Sequence, residues 1–103
     1  MKIALTLSRD QAEVLARATF IEQPIFYTRE QRVRYSLMCE VSLKITRFCI
    51  SFIKQKKRKL SLKLYEADML ENYLIYILNI KSHPPYEKNT LQTIINDINK
   101  QLA

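Results

Sequence analysis

The stretch Lys2–Leu15, which reads KIALTLSRDQAEVL, decides the fold prediction because its periodicity changes partway along. Its first part alternates apolar and polar residues, a pattern typical of a short strand with one buried face, and predicts a strand at about 2–7. Ser8 with Gln11 three residues later is typical of a capping box. This pair predicts that a helix begins here and continues to about Phe20.

The next segment, 21–27, contains a proline and predicts a connection, after which Thr28 with Gln31 repeats the capping pattern. No Pro or Gly occurs over 29–55, and apolar residues recur every three or four positions, so we expect one long helix. It carries two apolar sets that lie almost opposite each other: Met38, Val41, Ile45, Phe48, Phe52 and Cys39, Leu43, Ile50, Ile53. We therefore expect this helix to be buried around most of its girth, as the central helix or with one face against a second subunit.

The second half of the chain follows the same order of patterns. Residues 59–64 alternate again and predict a second strand, and a third helix follows at about 66–80. This helix is apolar nearly all round, so it also needs cover on two sides. After a break at 82–85, a fourth, amphipathic helix has one apolar face, formed by Leu91, Ile94, Ile95, Ile98 and Leu102.

The predicted fold class is therefore α+β and mostly helical, in the order strand-helix-helix-strand-helix-helix, with a two-stranded antiparallel ribbon and four helices. The 103 residues are enough for one core, so we expect a single domain over 1–103. Lys2–Leu7 superposes on Lys59–Leu64 with three identities in six positions, which suggests possible pseudo-repeat halves, 1–57 and 58–103.

The two strands need a partner, because neither can satisfy its backbone groups alone. We expect them to pair antiparallel, either within the chain or across a dimer. A homodimer is also expected from the second and third helices, whose apolar circumference exceeds what the other elements easily cover.

Charge is unevenly distributed along the chain, which has a net charge of +7. The segment 29–63 contains eleven basic and two acidic residues and so carries +9. Its densest part is a basic run of five cations in six positions: Lys54, Lys56, Lys57, Arg58 and Lys59. Such a run attracts a phosphate backbone, whereas a neutral partner gains nothing from it.

The basic run could also have either of two further roles. Cations at the end of the second helix could complement the helix dipole and remain solvated, although that effect, about 0.3–1 kcal/mol at an exposed site, does not call for five mutually repelling charges. Attraction to a membrane surface is the other role that stays open.

The chain resembles the ribbon-helix-helix family of DNA-binding proteins over Lys2–Leu15, and 59–70 matches the pattern less closely. The resemblance implies that the two strands form a ribbon that enters the major groove, where outward side chains read the bases. Two such repeats in one chain would make a built-in pseudo-dimer. On this chain the outward positions would be Lys2, Ala4, Thr6, Lys59, Ser61 and Lys63.

Catalytic and cofactor sites are not expected. Glycine is absent, which excludes Gly-rich phosphate loops and the dinucleotide fingerprint, and no nucleophile, base and orienting group occur together. Cys39 and Cys49 would lie about 15 Å apart on one helix, so we expect free thiols. The lone His83 has no metal-ligand spacing to either cysteine and is expected in a solvated loop.

The residues thus predict a non-enzymatic protein without cofactor or metal. No stretch is long and apolar enough for a membrane span or signal peptide, so we expect a cytoplasmic protein that does not enter membranes. The first functional hypothesis is a small basic nucleic-acid-binding accessory or regulatory protein with DNA as partner. Its expected contacts are Lys2, Thr6, Lys54, Lys56, Lys57, Arg58, Lys59, Ser61 and Lys63. The alternative is a protein-interaction module that uses apolar helix faces.

Overall fold

The computed structural model of the chain describes residues 2–20, 28–53, 56–80 and 82–103. These ranges form two strands and four helices. In chain order they are β1 (Lys2–Ser8), α1 (Arg9–Ala18), α2 (Arg29–Ile50), β2 (Lys57–Lys63), α3 (Leu64–Ile80) and α4 (Pro85–Leu102). The predicted class, α+β and mostly helical with a two-stranded antiparallel sheet and four helices, is confirmed. The expected connection over 21–27 lies outside the described residues.

The two strands pair antiparallel within the chain, so they need no second copy for this pairing. The register runs from Lys2 opposite Lys63 to Ser8 opposite Lys57. Because side chains alternate across a strand, one face of the ribbon is apolar. That face is buried and consists of Ile3, Leu5, Leu7, Leu60 and Leu62.

Hydrogen bonds from side chains to the backbone set where the helices begin. The Ser8 hydroxyl accepts the Gln11 N–H at 3.2 Å, and the Gln11 side-chain oxygen accepts the Ser8 N–H at 2.9 Å, which forms the predicted capping box of α1. Thr28 and Gln31 form a second capping box at α2. At α3, a carboxylate oxygen of Glu66 accepts the Lys63 N–H at 2.8 Å, so this helix begins two residues earlier than expected.

The second helix ends at Ile50 instead of continuing to position 55. Its last turn tightens, since the Ser51 N–H donates to the carbonyls of both Arg47 and Phe48. The chain then leaves the helix so that Phe52 is buried, with its ring edge-on to Phe48 at a centroid distance of 5.2 Å. Phe52 thereby joins the buried core cluster.

The helices cover the apolar face of the ribbon and build one buried cluster to which all six elements contribute. Within each half the two helices pack on each other, α1 on α2 and α3 on α4. Across the halves, α2 packs against α3 and α4 against α1, so the arrangement has the character of a two-fold pair. The α4 helix also lies along β1, where the Gln101 amide bonds both the N–H and the carbonyl of Ala4, at 3.2 and 2.8 Å.

The starts of α1 and α3 suggest a different alignment of the two segments from the one that the strand sequences suggest. Aligning the Ser8–Gln11 pair with the Lys63–Glu66 pair superposes Lys2–Leu15 on Lys57–Leu70, two residues away from the superposition on Lys59. Five of these fourteen positions are identical: Lys2/Lys57, Leu5/Leu60, Leu7/Leu62, Ala12/Ala67 and Leu15/Leu70. Four of the five pairs are buried in both halves, so the same core positions are filled twice.

The expectation that α2 is buried around most of its girth is wrong for the single chain. Only one side of the helix is buried, through Met38, Val41, Ile45 and Phe48. On the opposite side Leu43 is 50% exposed and Ile50 is 75% exposed. The helices α1 and α3 pack against α2 but leave Leu43 and Ile50 uncovered.

The Ser8 cap should contribute measurably to stability. We expect Ser8→Ala to lower the free energy of unfolding by about 1 kcal/mol, because the Gln11 N–H loses its acceptor. Ser82→Ala, at an exposed position outside the helices, should change it by less than about 0.5 kcal/mol. Chemical denaturation followed by circular dichroism measures both, and equal effects would contradict the capping role.

Candidate nucleic-acid interface

The polar face of the ribbon gathers most of the predicted contact residues on one surface. We call it the outer face and define it by the exposed side chains of both strands: Lys2, Ala4, Thr6, Lys57, Lys59, Ser61 and Lys63. It forms because the strands alternate and their apolar residues all face the helices. The outward positions expected from the sequence are therefore brought together, and Lys57 from the basic run joins them.

Cross-strand neighbours on the outer face set its electrostatics. Lys2 lies directly opposite Lys63, and Lys59 lies opposite Thr6. Like charges that face each other across an antiparallel pair are destabilising, so the sheet alone gives no reason for the Lys2–Lys63 pair. An anion bound over the ribbon would relieve this repulsion.

No carboxylate lies on either strand. Among the residues that the structure describes, the four ion pairs involve other cations, so none of the outer-face lysines forms an ion pair, although the charge of Lys63 acts on Glu66 and helps to lower its pKa. Lys63 is the most constrained, since its ammonium lies 5.9 Å from the centre of the Tyr65 ring. The lysines of the outer face thus remain available to an external anion.

Arg58, in contrast, belongs to the inner side of β2. It pairs with Leu7 and has the same parity as the buried Leu60. Its guanidinium lies over the Phe48 and Phe52 rings, at 5.6 and 5.9 Å from their centres, and donates to the Ser51 carbonyl at 3.1 Å and to the Ser51 hydroxyl. These contacts hold the end of α2 against the ribbon and direct Arg58 away from the outer face.

Two further cations of the basic run, Lys54 and Lys56, precede β2 in the sequence. Lys56 is exposed immediately before β2, at the end of the ribbon where Lys57 faces Ser8. Lys54 lies outside the described residues. Among the described cations of the run, Arg58 thus lies apart from the surface that Lys57 and Lys59 share, and Lys63 continues this surface to the opposite end of the ribbon.

Glu66 contacts the end of β2 at Lys63. Its side chain is largely buried, and one carboxylate oxygen accepts from the Lys44 ammonium at 3.0 Å and from the Lys63 N–H at 2.8 Å. Burial alone would raise the pKa of Glu66, but these two donors outweigh it and lower the pKa below its ordinary value. The carboxylate therefore stays ionised at neutral pH, where it pairs with Lys44 and accepts the Lys63 N–H at the start of α3.

The lone histidine and the two cysteines are the remaining residues that could take part in catalysis or bind a metal. His83 is half-buried, with Nε2 3.4 Å from the Ile77 carbonyl oxygen. Cys39 and Cys49 are free thiols, and burial raises the pKa of Cys49. Within the described ranges no three His, Cys, Asp or Glu side chains are grouped as a metal site would require.

Reasoning from the sequence missed two interactions near the outer face, those of Arg58 and of Gln101. The direction of Arg58 could have been found, because it stands at even spacing from Leu60 and Leu62. The bonds of Gln101 to Ala4, 97 residues apart, have no local signal and depend on how α4 packs.

Comparison with protein-family models, curated proteins and solved structures gives no match to the chain. In the part of the chain that the structure describes, none of the helices combines the length and hydropathy needed to cross a bilayer.

The Glu66–Lys44 pair predicts a specific pH dependence of stability. Glu66→Gln keeps an oxygen that can accept the Lys63 N–H but removes the charge beside Lys44. Because the pKa of Glu66 is lowered on folding from 4.5, its stabilisation is present above pH 4.5 and is lost as the pH falls through the lower folded value. We expect the variant to be about 1 kcal/mol less stable at pH 7.

Urea denaturation of both proteins between pH 7 and pH 3 measures this difference. It should shrink towards zero in acid, where the native carboxyl also becomes neutral. A difference that stays constant over this range would show that the charge of Glu66 contributes nothing.

Proposed function

We propose that this chain is a non-enzymatic nucleic-acid-binding protein of accessory or regulatory type, which contacts DNA through the outer face of its ribbon. The observation that carries the proposal is the group of four exposed lysines on that face, Lys2, Lys57, Lys59 and Lys63, none of which forms an ion pair among the described residues. Thr6 and Ser61 lie between them and supply hydroxyl groups for hydrogen bonds to bases or phosphates.

The size of the expected electrostatic effect is large enough to test. Each phosphate neutralised on duplex DNA contributes about −0.9 to the slope of log affinity against log salt concentration. Four lysines would give a slope of about −3.6, or a loss of affinity of about 10²-fold between 50 and 200 mM salt. A solvated, unoccupied surface has no such dependence.

The shape of the ribbon supports duplex DNA as the ligand. A two-stranded ribbon fits the major groove, where each base pair presents a distinct pattern of donors and acceptors. The resemblance to ribbon-helix-helix proteins adds the strand-helix-helix order of each half and places Lys2, Thr6, Lys59, Ser61 and Lys63 towards the bases. When Ser8 is aligned with Lys63, Lys57 takes the place of Lys2, so cations lie at corresponding ends of both strands.

The resemblance has limits on this chain. Ala4 has no side-chain hydrogen-bonding group, and α2 is 22 residues long and uninterrupted by glycine. We therefore assign base reading to the hydroxyl groups of the outer face, and phosphate binding to its four lysines.

The alternative function, a protein-interaction module, is favoured by a different observation, the exposed apolar residues Leu43 and Ile50 on the far side of α2. That surface and the outer face of the ribbon belong to different elements. The two hypotheses predict a different dependence of binding affinity on salt concentration, because apolar docking does not weaken steeply as salt rises.

Substituting a single lysine should change the salt dependence of binding. We expect Lys59→Gln to reduce the slope for duplex DNA by about 0.9 without changing stability by more than about 0.5 kcal/mol. Fluorescence anisotropy with a labelled duplex between 50 and 200 mM salt measures the slope.

Lys100→Gln is the matched control for this test. Lys100 is exposed on the side of α4 opposite its buried residues, so its loss should leave the slope unchanged. If both variants shift the slope equally, binding follows net charge and the outer face is not the site. If the wild-type chain ignores duplex DNA at about 50 mM salt, the proposal fails.

The hydroxyl groups of the outer face should govern sequence preference. Thr6→Val and Ser61→Ala remove potential base contacts but no charge, so we expect each to lose about 1–3 kcal/mol of discrimination between sequences while the salt slope stays the same. Selection from a random duplex library, followed by competition against random DNA, measures discrimination. Unchanged preference in both variants would assign the hydroxyl groups no part in reading bases.

A further inference from the structure

We propose that the chain forms an antiparallel homodimer through the far side of α2. This inference concerns a surface separate from the ribbon and does not rest on the proposed nucleic-acid function.

The surface consists of four residues at alternating spacings of four and three, which we call the outer stripe: Cys39, Leu43, Thr46 and Ile50. This spacing aligns them along one side of the helix, as in the seam of a coiled coil. The stripe lies almost opposite the residues that α2 buries in the core. Leu43 and Ile50 are 50% and 75% exposed in the single chain.

The polar member of the stripe does not oppose packing. The Thr46 hydroxyl donates to the Ser42 carbonyl at 3.0 Å, within its own helix. Its methyl group can then face another apolar surface without leaving a hydrogen-bonding group unsatisfied.

Charges beside the stripe indicate that the occupant is a second copy. Glu40 and Arg47 flank the stripe on the same side, seven residues apart, and neither has an ion pair among the described residues. When two copies of α2 pack antiparallel, Glu40 of each can meet Arg47 of the partner subunit. The interface thus gains two symmetric ion pairs from one pair of residues.

The same charges fix the register. With Leu43 opposite Thr46 of the partner subunit, Cys39 meets the partner's Ile50, and all four layers of the stripe are filled from both sides. A shift by one heptad in either direction would bring the two Glu40 side chains, or the two Arg47 side chains, together. A parallel pairing would place these charges beside Tyr35 and Ser42, where they find no opposite charge.

The outer side of α3 also exposes apolar side chains, including Tyr76 at 58% and Ile80 at 54%. The residues beside them, Asn72 and Asn79, are uncharged, so they cannot select the orientation of a partner as Glu40 and Arg47 do. Four layers of one helix pair form an interface near the lower size limit of about 1,000 Å² for specific association. We therefore expect a dimer that dissociates on dilution in the micromolar range.

Sedimentation equilibrium of the reduced chain, without nucleic acid, tests the proposal. From about 5 to 300 μM the wild-type mass should rise from 12.3 kDa towards twice that value. Leu43→Glu should stay monomeric throughout this range, because it places two carboxylates in the seam. Val33→Glu is the matched control: Val33 is also exposed, at 51%, but lies off the stripe, so the variant should dimerise like the wild type.

Charge reversal tests orientation and register. Glu40→Arg and Arg47→Glu should each weaken the dimer by about tenfold, and the double variant E40R/R47E should restore it because every cross-subunit pair is again of opposite sign. Circular dichroism checks that each variant keeps its helical content.

Three results would overturn the proposal. The first is a wild-type chain that remains monomeric at about 300 μM. The second is a dimer that is insensitive to Leu43→Glu. The third is a double variant no stronger than the single ones, which would exclude the antiparallel register. DNA binding by a monomeric variant leaves the function proposed for the ribbon intact, so the two proposals fail separately.

Discussion

The antiparallel pairing of β1 with β2 is the constraint on which the rest of the structure depends. The two strands come from positions about 55 residues apart, and each supplies the hydrogen-bonding partners that the other lacks. Because the side-chain period of a strand is two, the same register that buries Leu5 beside Leu60 exposes Lys2 beside Lys63. A slip of one residue would expose the core side chains and bury the lysines, so the core and the charged surface are fixed together.

Local patterns predicted much of the architecture, because the interactions behind them are local. The alternation in β1 and the capping pairs Ser8–Gln11 and Thr28–Gln31 depend on neighbours within three or four residues. The enclosure of α2 was predicted wrongly for the opposite reason. An apolar residue such as Ile50 shows that a face would gain from cover, but only the packing of all the other helices shows whether the same chain provides it.

The candidate site shows the same division. The outward positions of each strand followed from parity, whereas the juxtaposition of Lys2 with Lys63 required the register between distant segments. Clustering in sequence grouped Arg58 with the neighbouring lysines, because five cations in six positions suggested a common role. On a strand, neighbours point to opposite sides, and the aromatic rings of Phe48 and Phe52 engage this one cation from beneath.

The amide of Gln101 has a consequence for how the sheet can grow. A two-stranded sheet leaves backbone groups unpaired along both sides, and these can recruit further strands from other molecules. The side-chain oxygen and nitrogen of Gln101 bond the backbone N–H and carbonyl of Ala4, which are the two groups that an incoming strand would use. Helix α4 therefore blocks this edge of β1. Any fibre or domain-swapped assembly that extends the sheet from β1 would first have to displace Gln101 from Ala4.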